Sequence, residues 1–99
     1  MRKAMNQQHD NGQNDQNWIE HDLVYTEEEI ANLRTYIAVL SDSIHVDIAE
    51  RENLRQRQEL YEEHPIHDRI ANGFQVLEEF LQSYRLLLAR RYIMRRILR

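Results

Sequence analysis

Ile30-Ala31-Asn32-Leu33-Arg34-Thr35-Tyr36-Ile37-Ala38-Val39-Leu40-Ser41-Asp42-Ser43-Ile44 is the stretch that decides the fold of this chain. Its Ile and Leu residues recur at steps of 3, 4, 3 and 4. That spacing holds apolar side chains in line along one side of a helix and makes the side a seam for another helix. Ser41-Asp42-Ser43 carry short polar side chains that compete for backbone hydrogen bonds, yet the stripe keeps its phase across them, so one helix is predicted through the whole stretch.

Upstream, Thr26 followed by Glu29 has the form of a capping box, and Tyr25 before it faces Ile30 as a hydrophobic staple. Glu27, Glu28 and Glu29 would then sit in a first turn, where the helix dipole favours negative charge. Downstream the seam positions turn polar: Asp47, Arg51, Leu54, Gln58 and Tyr61, with Ile48 beside them. Pro65 cannot donate a helical hydrogen bond and pushes His64 out of the α region, so the first helix is predicted over about 27–63.

A second helix is predicted over about 66–98, starting near Pro65 and carrying Phe74, Leu77, Leu81, Tyr84 and Leu88 along its apolar side. Asn72-Gly73 is its weak point. Gly73 either caps a short turn over 66–71 or is tolerated within the helix at about 1 kcal/mol. Projected at ~100° per residue, the last turns divide into two faces. Leu86, Leu87, Ile93, Met94, Ile97 and Leu98 form a second apolar face; Arg85, Arg91, Arg95, Arg96 and Arg99 form a basic one, with Arg90 out of place.

The two helices would measure roughly 55 and 50 Å, and a turn at Pro65 folds them into an antiparallel hairpin. The fold class expected is therefore all-α. A chain of 99 residues with one seam and no cysteine buries little, so completion as a dimeric four-helix bundle or a larger helical assembly is expected. Ahead of the hairpin, residues 1–17 are rich in Asn and Gln and are expected to be disordered. Trp18, Ile19, Leu23, Val24 and Tyr25 fall before the expected helix start. They read as a docking strap on the protein's own helices or as a short linear motif for a partner.

Charge is divided unevenly: residues 1–84 hold seven Lys/Arg against all 17 Asp/Glu, whereas 85–99 hold six Arg and no acid. In the hairpin the basic end lies beside Glu27–Glu29. Exposed pairs contribute only ~0–1 kcal/mol each, enough to favour antiparallel pairing without holding it together. Four readings of the arginines follow: neutralisation by the acidic helix, contact with nucleic-acid phosphates, contact with an acidic protein partner, and docking on an acidic membrane surface, the last disfavoured. The residues after Arg2 and Lys3 are Asn and Gln where a signal peptide needs an apolar run, and the longest apolar run, Leu86–Ala89, is far too short to span a bilayer. An intracellular, soluble protein is expected.

Leu33-Arg34, Ile37, Ile44 and Ile48-Ala49-Glu50-Arg51 resemble the first helix of the all-helical chorismate mutases, and Pro65–Asp68 the stretch before that family's second helix. Glu62 stands where the family's catalytic lysine would fall, Ala71-Asn72 replace an Arg-Glu, and there is no room for its third helix. The likeness is one of heptad pattern and implies no dianion pocket. Two glycines exclude a Gly-rich phosphate loop, and absent cysteine excludes zinc-finger, iron–sulfur and thiol chemistry. His64 and His67, with Glu63 and Asp68 around a proline, read as turn residues rather than metal ligands. His45 has no evident partner. Ser41, Ser43 and Ser83 fit no nucleophile motif, and no active site, metal or cofactor is expected. The function expected is an adaptor or scaffold acting through contacts with itself and another protein. The alternative is a helical regulator that holds nucleic acid through Arg85–Arg99.

Overall fold

The computed structural model describes residues 17–99 in full, and residues 2–16 only by their backbone. It is an all-α hairpin of two antiparallel helices, α1 (Arg2–Gln56) and α2 (Pro65–Leu98). The tail expected over residues 1–17 lies outside the fully described residues, save its last position.

The seam of α1 runs 19, 23, 26, 30, 33, 37, 40, 44, 47, 51, 54, an unbroken heptad repeat whose members are buried or half-buried throughout. Its first three members explain two departures from expectation. The segment Trp18–Tyr25 is not a strap ahead of the helix but part of it, because Ile19 and Leu23 continue the Ile30–Ile44 stripe in phase. Thr26 is correspondingly not an N-cap. It lies inside α1 at a seam position with 1% of its surface exposed. A capping box is a local signal, and here the gain from burying another turn against α2 overrides it.

At its other end α1 stops at Gln56 rather than near 63. The next two seam positions are Gln58, which is polar, and Tyr61, which stays exposed, and the chain leaves the helix through a Schellman motif. Glu59 N–H donates to the Leu54 carbonyl at 2.9 Å and Gln58 N–H to that of Arg55 at 3.0 Å, with Gln58 at φ 58°. Leu60 then folds back onto Leu54, Ile66 and Ile70, beside Ile48, closing the turn end of the hairpin. A glutamine in the left-handed region is strained where glycine is not. Gln58→Gly should therefore stabilise the hairpin by about 0.5–1 kcal/mol, read as a higher denaturant midpoint.

α2 begins as its sequence implies. His64 is the N-cap, its Nδ1 accepting from Ile66 N–H at 3.0 Å, and Pro65 occupies the first turn, where its missing N–H costs nothing. The helix passes through Asn72-Gly73 without a break. Gly73 is a seam residue: a Cβ there would lie 2.9 Å from Ile44 Cγ1, so Ile44 packs into the space left by the missing side chain. The α2 seam runs 66, 70, 73, 77, 80, 84, 87, 91, 94, 98, again a strict heptad. Phe74 stands one residue off this line and is half exposed, while Leu81 and Leu88 are half-buried along its edge. Met94, expected on a second apolar face, belongs to the seam instead, 7% exposed. The apolar line through Phe74, Leu81 and Leu88 points past Met94, whereas the line that packs, through Gly73, Phe80 and Leu87, leads onto it.

Ile44 against Gly73 and Tyr36 against Phe80, ring centroids 6.2 Å apart, mark the register. The start of α1's seam at Ile19 thus lies level with the end of α2's at Leu98. No helix among the described residues is long and apolar enough to cross a membrane.

Candidate functional site

The seam leaves two flanks, and each can be followed by its cross-helix pairs. Residues just before the first seam position of each heptad face one flank. There Arg90 binds Asp22, its Nε donating to Oδ2 at 3.1 Å, and Arg69 lies 3.3 Å from Glu50 and 3.5 Å from Asp47. Residues just after the second seam position face the other flank, where Arg95 binds Glu27 at 2.7 Å. Arg90, out of place on a helical wheel, thus sits where Asp22 can reach it.

The Asp22–Arg90 flank is the apolar one. From α1 it presents Trp18, Tyr25, Tyr36, Val39 and Val46; from α2 it presents Val76, Leu86, Ile93 and Ile97, with Leu86 69% exposed. Nine of the thirteen exposed large apolar side chains thus share one side of a two-helix layer. On α1 they follow a second heptad stripe, Trp18, Tyr25, Val39 and Val46 falling seven or fourteen residues apart. Of the expected second face, Leu86, Ile93 and Ile97 lie here, whereas Leu87, Met94 and Leu98 are in the seam. Of the expected partner segment, Trp18 and Tyr25 lie here, Ile19 and Leu23 are in the seam, and Val24 is exposed toward the other flank.

The Glu27–Arg95 flank carries the basic groove. Leu88, Arg91, Tyr92, Arg95, Arg96 and Arg99 line a concavity of about 340 Å³ along the last three turns of α2. Arg96 Nη1 donates to Tyr92 Oη at 3.2 Å and its guanidinium lies 5.9 Å from the ring centroid. Of the expected contact residues, the structure brings Arg91, Arg95, Arg96 and Arg99 together; Arg85 lies outside the groove. The expected proximity to Glu27–Glu29 reduces to a single pair: among the described residues, Arg95 alone of these meets a carboxylate, that of Glu27. Tyr92 is a further member of the groove, and the signal for it in the sequence is its place one turn before Arg95 and Arg96 and two before Arg99.

Elsewhere Arg34 Nε donates to Tyr84 Oη at 2.8 Å across the seam. A smaller concavity of about 240 Å³ near the turn is lined by Arg51, Glu52, Arg55, Leu60 and His67. The imidazoles of the turn are engaged with backbone: besides the His64 cap, His67 Nε2 donates to the Tyr61 carbonyl at 3.1 Å. Among the described residues no three His, Asp or Glu side chains gather as metal ligands would. No protein-family model, no curated protein and no solved structure matches this chain.

Proposed function

We propose that the protein is a non-catalytic assembly module, two copies of which pair through the Asp22–Arg90 flank to form a four-helix bundle that acts as an adaptor or scaffold through protein contacts. The observation that carries this reading is the gathering of nine exposed large apolar side chains on that flank. A flank carrying this many large exposed apolar side chains can supply what a standard interface uses, about 800 Å² buried on each partner. The hairpin's own core is thin by comparison. Six apolar residues are fully buried among those described, and a second layer of helices supplies the missing burial. A second copy is the natural occupant because a two-fold axis brings the same stripe onto itself, with the Asp22–Arg90 pair already neutralised within each hairpin.

The test is the mass in solution by light scattering behind size exclusion. The wild-type chain is expected at twice its 12.1 kDa or more. Val39→Glu with Ile93→Glu, which places unpaired charge on the flank from both helices, is expected to give a helical monomer. A wild-type monomer at micromolar concentration, or a double variant that stays dimeric, would sink this reading.

A further inference from the structure

We infer that the groove over Leu88–Arg99 is a binding site for single-stranded nucleic acid, its arginines on successive phosphates and Tyr92 under a base. This does not depend on self-association, since the groove opens on the flank opposite the apolar one.

Arg91, Arg95 and Arg99 follow one another by four residues along α2, a rise of about 6 Å per step. Regular spacing of guanidiniums suits a regularly charged polymer better than a short acidic patch on a protein. Each guanidinium can grip a phosphate through two parallel hydrogen bonds. Tyr92 lies among them with its ring exposed, an aromatic platform between cations being the arrangement by which proteins hold unpaired strands without reading sequence. Arg91 is recessed at a seam position and half-buried, so a narrow strand entering the concavity reaches it where a flat bilayer surface does not. The apolar residues of the same helix that a membrane would need, Leu86, Ile93 and Ile97, face the other flank.

Glu27 is the built-in competitor. It holds Arg95 at 2.7 Å, with the Glu27 and Arg95 side chains 43% and 53% exposed, and such an exposed pair is weak enough for a phosphate to displace. Removing the carboxylate should therefore tighten binding, an outcome that a merely structural role for the arginines does not produce.

The experiment is fluorescence anisotropy of a dye-labelled oligouridine about ten nucleotides long, titrated with the full chain at several salt concentrations. With three phosphates neutralised, the logarithm of the association constant is expected to fall with the logarithm of salt at a slope of about −2. Arg91→Gln with Arg99→Gln should weaken binding more than about tenfold at low salt and flatten the slope by about 1.4. Tyr92→Ala should cost about tenfold and leave the slope unchanged. Glu27→Gln should bind about threefold tighter. Arg69→Gln, at the far end of the hairpin, should match wild type. Circular dichroism checks that each variant remains helical, and Glu27→Gln and Tyr92→Ala keep the test decisive if the double variant does not fold. No binding at low salt, equal weakening by Arg69→Gln, or binding to anionic vesicles but not to the oligonucleotide would each overturn the assignment.

Discussion

Ile66→Ala is expected to cost about 2–5 kcal/mol, which for a hairpin this thin means loss of most or all of the folded population at ambient temperature. Ile66 is fully enclosed, at 0% exposure, in the cluster with Leu54 and Ile70 that Leu60 and Ile48 complete. It also occupies the first turn of α2, immediately after the His64 cap and Pro65. Truncation there leaves a cavity where the chain reverses, and the surrounding side chains come from three separate segments that cannot all move in to fill it. Ile66→Val, which removes one methyl group, is expected to cost only about 0.5–1.5 kcal/mol. Far-UV circular dichroism over a urea series measures both. A cost below about 1 kcal/mol for the alanine variant would mean that the turn end is not the packed cluster described.

The second large effect is expected at Gly73. Gly73→Val should destabilise by about 3 kcal/mol, because its Cβ would approach Ile44 Cγ1 to 2.9 Å and Cδ1 to 3.4 Å. Cγ1 sits next to the Cβ of Ile44, and in a helix a β-branched side chain has essentially one χ1 rotamer to occupy, so it cannot swing aside. The helices would have to separate along the whole seam. Gly73→Ala alone sets a helix-propensity gain of about 1 kcal/mol against an overpacking cost of about 1–3 kcal/mol, and a net loss of at most about 2 kcal/mol is expected. The diagnostic variant is the pair. Ile44→Ala costs about 2–5 kcal/mol by itself, yet it removes the atoms that the valine meets, so Gly73→Val with Ile44→Ala should be more stable than the sum of the single costs by over about 1 kcal/mol. Additivity within about 0.5 kcal/mol would show that positions 44 and 73 do not face each other.

Where expectation and structure part, the cause is the same in each case. Thr26 and Glu29 have the composition of a capping box, but capping is worth about 1 kcal/mol, and burial of Ile19 and Leu23 on the far end of α2 outweighs it. Tyr61 was placed on α1 by periodicity, yet beyond Leu54 no pair of seam residues rewards another turn. Met94 and Phe74 exchange their expected roles because two lines of the same 3.5-residue period share Leu77 and Tyr84, and the one that packs runs through Gly73, which has no side chain to mark it as apolar. Of the basic cluster, the residues were legible as a charge block, whereas the separation of Arg90 from Arg95 onto opposite flanks was not. It depends on which carboxylate of α1 stands level with each, and Asp22 and Glu27 lie 68 residues away along the chain from their partners.

What the chain's own letters determined was the two-helix architecture, its antiparallel reversal beside Pro65, and the Ile30–Ile44 seam. These follow from apolar period and proline stereochemistry, both of which act between neighbours in sequence. Only the tertiary structure decided the register, and with it the true ends of α1, the packing of Ile44 on Gly73, and the division of the surface into an apolar flank and a basic one. Register is a balance among many contacts across the seam. No single residue specifies it, and a shift by one heptad would have kept every local preference intact while bringing different residues face to face.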